Sequence, residues 1–427
     1  MTGAAETQIL ARAVADFRRG RTSEARSQLE HVLTRQPRNA EAMHLLGLIA
    51  HHENDRAGAL AWLEKAAATG PGVASFHGDL GEVYRALGRH EDAIASCRRA
   101  LDLNPNYPQA LNSLGIALYQ SGRIAEAEAR LRDALGLDPG FVDAHLNLGR
   151  LMEAEGRLDA AADAYRRALG CTPDLASAHV SLGNVLRASR RPDAASDCYR
   201  AALALQPEAG ETWLRLSDAC LEAERFDEAL KACQRAIALC PGVAMASVRL
   251  GRILLRLDRA ADALRAFERA AALNPELPEA HLGKGVAFER QARVAEAEAA
   301  YRRALSLRRQ FPDAQNNLAS TLLKQGRLQE AQAAVWELVE MVRGKVVRDA
   351  QEVLRPAPRS RPGHARPARV PGFQLRDRMD QVRRLLDLDL IDPAFDRVLE
   401  RCREVAGEAE DLDGPAASAQ LAPDQVA

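Results

Sequence analysis

The chain has 427 residues, 47% of them hydrophobic, 27% charged and only 4% aromatic, with 58 basic against 59 acidic side chains. A core with so few aromatic rings must be built mostly from Ala and Leu, which suits helices packed closely on helices. Arginine outnumbers lysine 53 to 5, but acids interleave with it along the same segments, which argues against a polyanion-binding surface.

The amino terminus, MTGAAETQILARAVADF, has no basic stretch followed by an apolar one, and no run of about 18 apolar residues occurs anywhere. A cytoplasmic protein is expected. The seven cysteines are odd in number and never spaced C-x-x-C, so neither a disulfide framework nor a zinc knuckle is signalled. They are expected to be reduced and to fill small core positions.

Organisation is written as a period of 34 residues. Proline recurs at 37, 71, 105, 139, 173, 207, 241 and 275, and alanine at Ala25, Ala59, Ala93, Ala127, Ala161, Ala195, Ala229, Ala263, Ala297 and Ala331. In the same frame stand Gly47, Gly81, Gly115, Gly149, Gly183, Gly251 and Gly285, with Ser217 and Ala319 in the two remaining places. Within one unit, Leu111, Leu114, Ala117 and Leu118 form the apolar stripe of a first helix, and Gln120-Ser121-Gly122 turns the chain. A second helix then carries Ile124, Ala127, Leu131, Ala134 and Leu135 on one face, and Pro139 ends it. The unit is a helix hairpin whose small residues let the two backbones approach. One hairpin cannot bury its outer face alone, so stability must come from stacking neighbours. Lys284, between Gly283 and Gly285, replaces the Leu found at Leu114, Leu148, Leu182, Leu216 and Leu250, and predicts a locally weak or bent unit.

Period, small-residue positions, an aromatic position (Tyr165, Tyr199, Phe267, Tyr301) and the terminal Pro together resemble the tetratricopeptide repeat. The resemblance covers 6–345, as repeats 6–39, 40–73, 74–107, 108–141, 142–175, 176–209, 210–243, 244–277, 278–311 and 312–345. It implies an all-α, right-handed superhelical α-solenoid of about ten helix-turn-helix repeats. The end units are atypical, with Ala13 in the Gly position and Arg309 in place of Pro, as array caps are.

Beyond the array, 346–372 is a Pro/Arg-rich linker, read as a solvated spacer rather than a polybasic ligand site. In 373–407, Leu375, Met379, Val382 and Leu386 recur at helical spacing, and Asp392-Pro393 opens a second segment with Phe395, Val398, Leu399, Cys402 and Val405. This predicts a short helical pair that caps the array or binds another protein. The 408–427 stretch, acidic and then featureless, is expected to be a disordered tail.

Chemistry is sparse. His77, His145, His179 and His281 share one position of the first helix, but stacked helices about 8–10 Å apart do not let one ion bridge them, so packing and hydrogen bonding between helices are expected instead. No nucleophile elbow, phosphate loop or dinucleotide fingerprint occurs, and the expectation is a chain with no catalysis, metal or cofactor of its own. The resemblance makes the first helices line a concave, peptide-binding side. Its inward positions then hold Asp79 and Glu82, Asn112, Asn147, Arg150 and Asn184, then Arg215, Arg249, Arg252 and Arg256, with Asn316 and Asn317 last. Asparagine can donate to and accept from a peptide backbone and arginine can hold a carboxylate by two bonds, so an extended, polar or acidic segment of another protein is the expected ligand. The carboxylate clamp of chaperone-tail binders is disfavoured, because its positions hold His44, Leu48, Gly78 and Glu82. Asn147-Leu148-Gly149 and the scattered asparagines resemble the arms of O-linked N-acetylglucosamine transferases, without room here for their catalytic region. Two functions are expected, a protein-binding scaffold or adaptor, or a substrate-presenting or regulatory subunit of a glycosyl- or sulfotransferase on a separate chain. A third reading is autoinhibition by the acidic Glu408–Asp413 segment lying along the arginine-lined stretch of the groove. Membrane partners are not expected, and nucleic acid is disfavoured.

Overall fold

The computed structural model describes residues 2–338 and 341, with side chains from Thr7 onward. The linker at 346–372, the helical pair at 373–407 and the tail at 408–427 lie outside the described residues. Nineteen helices are delimited: α1 Thr2–Arg18, α2 Thr22–Arg35, α3 Ala40–His52, α4 Arg56–Thr69, α5 Ala74–Ala86, α6 His90–Leu103, α7 Pro108–Gln120, α8 Ile124–Leu137, α9 Val142–Ala154 and α10 Leu158–Cys171, followed by α11 Ala176–Ala188, α12 Pro192–Leu205, α13 Gly210–Glu222, α14 Phe226–Leu239, α15 Ala244–Arg256, α16 Ala260–Leu273, α17 Pro278–Arg290, α18 Val294–Leu307 and α19 Pro312–Lys324. A further helical stretch runs over 328–338, and no strand occurs among the described residues. The architecture is an all-α solenoid of helix hairpins.

The described residues fall into two compact units, one ending at Arg225 and the other beginning at Phe226. In the first, α1 to α12 pair as successive antiparallel hairpins and α13 follows; in the second, α15/α16 and α17/α18 pair in the same way.

The local reasons repeat with the period. Proline opens α7, α12, α17 and α19, where its missing N–H costs no helical hydrogen bond. Asn39 and Asp55 cap α3 and α4 by accepting from the backbone N–H of Ala42 and Gly58, each at 2.9 Å. Each first helix ends in a residue of positive φ, such as Gly122 at 80°, and the next residue closes the turn by donating its backbone N–H to the carbonyl five residues back. That closing residue is arginine at 21, 89, 123, 157, 191, 225, 259, 293 and 327, and its guanidinium often pairs with an acid three residues on, as in Arg123–Glu126 at 2.6 Å and Arg293–Glu296 at 2.9 Å. Nine of the 53 arginines therefore serve this turn.

The core is made by close approach. Every alanine of the periodic position, from Ala25 to Ala331, is 0% exposed. Each periodic glycine faces the residue sixteen positions later on its partner helix, which is Leu, Tyr, Phe or, opposite Gly81, Cys97. A Cβ on Gly115 would stand 2.8 Å from Leu131, and one on Gly149 2.7 Å from the Tyr165 ring. Buried Tyr165, Tyr199, Phe267 and Tyr301 thus fill space that glycine clears.

Around Lys284, α17 runs as one helix, with Gly283 and Gly285 making room for the Phe267 and Tyr301 rings on either side. One expectation is corrected: not all the cysteines are core fillers. Cys97, Cys220 and Cys233 are buried, and burial pushes the Cys97 thiol up to about 12, but Cys171 is exposed at the end of α10. It occupies the place held by Leu137 and Leu205 in α8 and α12, which are also exposed.

Candidate functional site

Stacking puts residues 31 or 35 apart in sequence on neighbouring first helices within reach, and polar rungs form at those separations. His44 on α3 meets Asp79 on α5 at 2.6 Å while its ring lies against Phe76. Ser113 on α7 donates to Glu82 on α5 at 3.4 Å. Asn147 on α9 donates its Nδ2 to Asn112 Oδ1 on α7 at 2.9 Å, and Arg215 on α13 donates to Asn184 on α11 at 2.9 Å.

Four of the sequence-predicted residues, Glu82, Asn112, Asn147 and Arg150, border one hollow of about 620 Å³ over α5, α7 and α9. Ile116, Tyr119, Phe141 and Leu146 form its apolar wall. Burial pushes the Glu82 carboxyl up, but the Arg85 hydrogen bonds and charge, together with His51 and Ser113, outweigh this and hold it below the usual glutamate value. Arg150 is exposed and reaches Asn147 Oδ1 at 3.3 Å. Asn112 is 8% exposed; its Oδ1 is occupied by Asn147, while its Nδ2 donates to no group among the described residues.

The other predicted residues lie elsewhere. Asp79 is held by His44 and does not border the hollow. Asn184 accepts from both Arg215 and the Tyr199 hydroxyl, each at 2.9 Å, and Arg215 also binds Glu211 at 2.6 Å. In the second unit, Arg249, Arg252 and Arg256 stand on α15, with the Arg256 guanidinium 4.8 Å over the Phe226 ring, and Asn316 and Asn317 stand on α19. Sequence reasoning missed Arg85, Ile116, Tyr119 and Asp143. Ile116 carried the available signal, an apolar residue in a position that Glu82, Arg150 and Asn184 hold one or two periods away.

The recurrent histidines fasten backbone rather than bridge helices. His77, His145, His179 and His281 bond through Nε2 to the carbonyls of Pro71, Pro139, Pro173 and Pro275 at 2.9–3.1 Å. Trp213 does the same with its indole N–H to Pro207 at 2.8 Å, so either ring can supply the donor six residues after the proline, while Met43, Leu111 and Ser247 hold the same position without a ring. Among the described residues no group of three His, Cys, Asp or Glu side chains converges on one point. None of the described helices is long and apolar enough to cross a membrane.

Tetratricopeptide repeat profiles match this chain over 10–74, 112–176, 180–244 and 248–314, with related profiles over 81–122 and 313–346. No curated protein matched it. Among solved structures it is similar to MamA (25% identity over 38% of this chain and 94% of that one, TM-score 0.36). It is also similar to YrrB, described as a TPR protein with an unusual peptide-binding site (21%, 43% and 95%, TM-score 0.40), and to pilF of Pseudomonas aeruginosa (20%, 50% and 97%, TM-score 0.41). With the repeat profiles matching more than half of its length and the hairpins recurring at their period, the chain belongs to the tetratricopeptide repeat family.

Proposed function

We propose that the protein is a non-catalytic interaction scaffold that binds an extended segment of another protein along its first helices, with the hollow over α5, α7 and α9 as the principal contact. Membership of a family of stacked helix hairpins supports a protein-interaction role. The observation that carries the finer reading is the Asn112–Asn147 rung beside an open hollow. It leaves a donor on Asn112 and a weakly engaged acceptor on Asn147, the complement of a peptide's alternating C=O and N–H groups. The arginines do not make this contact uniformly acidic-selective: Arg85 is spent on Glu82, Arg215 on Glu211 and Asn184, and Asp143 also borders the hollow. Nothing among the described residues favours the substrate-presenting reading over this one.

The test is selection of random displayed peptides on the full chain, followed by affinity measurement against the Asn112→Ala/Asn147→Ala double variant. Selected peptides should bind the variant at least about tenfold more weakly, with helical content by circular dichroism unchanged. Equal binding by both proteins would remove the groove reading.

A further inference from the structure

We infer that the hollow over α5, α7 and α9 is an anchor site for one large apolar side chain flanked by a carboxylate, the carboxylate being taken by Arg150. This rests on the peptide-binding reading above and adds the chemistry of what is bound.

Three observations lead there. The first is room: at about 620 Å³ the hollow accommodates a large side chain together with the backbone that carries it. A second is the wall, because Ile116 is apolar where the first helices on either side carry Glu82 and Arg150, and it stands with Tyr119, Phe141 and Leu146. Covering such a wall with an apolar side chain is worth about 25 cal/mol per Å² removed from water, whereas a polar side chain would lose its hydration there without a partner. The hydrogen-bonding groups sit beside the wall: Asn112, largely buried, presents an unused Nδ2 to whatever enters.

Charge supplies the third observation. Glu82 and Arg85 neutralise each other by a two-point contact within α5 and offer no net charge to a ligand. On α9, Asp143 and Arg150 flank Asn147 by about one helical turn on either side. Both are exposed, and neither has an ion pair among the described residues; the contact of Arg150 is to the neutral Asn147. A ligand carboxylate is attracted to the Arg150 end and repelled from the Asp143 end, so one orientation is favoured. Planar, two-point pairing with a carboxylate is what a guanidinium does best.

The experiment uses the full chain and peptides selected from a random displayed library, measured by fluorescence anisotropy. Selected peptides should share a Phe, Leu, Ile or Trp beside an Asp or Glu, and replacing that apolar residue by Ala should weaken binding about tenfold or more. Arg150→Glu, at an exposed position, should leave the melting curve unchanged and weaken binding similarly; changing the peptide's acid to Lys should restore affinity to this variant while weakening it for wild type. Peptides that need Asn147 but tolerate loss of the apolar residue, or that show no charge-swap rescue, would overturn the anchor chemistry and leave the groove reading in place. Peptides indifferent to Asn147→Ala as well would overturn both.

Discussion

The hairpins α5/α6, α7/α8 and α9/α10 turn on Gly88, Gly122 and Gly156, at φ of 73°, 80° and 70°. After α11, α13, α15 and α17 the same place is held by Arg190, Glu224, Asp258 and Ala292, at 58°, 59°, 55° and 57°. An L-residue in that left-handed region costs about 1–2 kcal/mol, yet the turn does not change: Arg123 donates to Leu118, and Arg191 to Leu186, both at 2.9 Å. Turn geometry is thus imposed by the packing of the two helices it joins, and glycine only removes a cost. The close-approach glycines are another matter, because there the missing Cβ is itself the packing.

The largest effect expected from that contrast is at Gly285. Ala is the better helix former, but its Cβ would enter the Tyr301 ring, so Gly285→Ala should destabilise the second unit by about 2 kcal/mol, read as a lower melting temperature. A variant as stable as wild type would show that the helix pair can separate, and that close approach is not what selects glycine. Smaller and opposite in sign are the turn exchanges. Gly122→Ala should cost about 1 kcal/mol and Ala292→Gly should gain somewhat less than that, since the added glycine also loosens the unfolded chain. If neither shifts the melt, the left-handed turn carries no strain and the two regions are equivalent.

A third test asks whether side-chain contacts across the stack help hold a hairpin with a non-glycine turn. Glu298 on α18 is largely buried and accepts from Gln325 at 3.0 Å and Arg327 at 2.8–2.9 Å, with Arg302 also beside it. Burial raises its carboxyl, but those hydrogen bonds and the two guanidinium charges prevail and hold it below its ordinary 4.5. A depressed native value means stabilisation that is complete above the unfolded-state value and lost as pH falls through the native one. The melting-temperature gap between wild type and Glu298→Gln should therefore be widest near neutrality and close progressively below about pH 4.5. A gap independent of pH would mean the carboxylate charge contributes nothing.

Much of this was legible before any coordinates. The 34-residue recurrence of Pro, Gly and Ala announces stacked hairpins, since each residue type answers a local need: a stop, a close approach, a buried small contact. The turn arginines at 89, 123, 157, 191, 225, 259, 293 and 327 were equally periodic, but composition hid them, because a residue so abundant in the chain carries little positional signal. For the site, first-helix positions led to Glu82, Asn112, Asn147 and Arg150, and the structure gathers these four on one hollow. Asn184, Arg215 and Asp79 stand in equivalent first-helix positions, yet none of them borders that hollow, and Asp79 is taken by His44 and Arg215 by Glu211 and Asn184.

The sequence by itself determined the architecture, because a strict period forces every unit to present the same apolar faces and therefore to stack. Only the tertiary structure decided which polar residues remain available. Whether Asn112 keeps a free donor or Arg215 spends its guanidinium depends on a side chain 31 or 35 residues away, and no local pattern records that distance. The hollow likewise is bordered by Ile116 from α7 and by Phe141 and Leu146 from the next hairpin, a conjunction made by stacking and not by any one repeat.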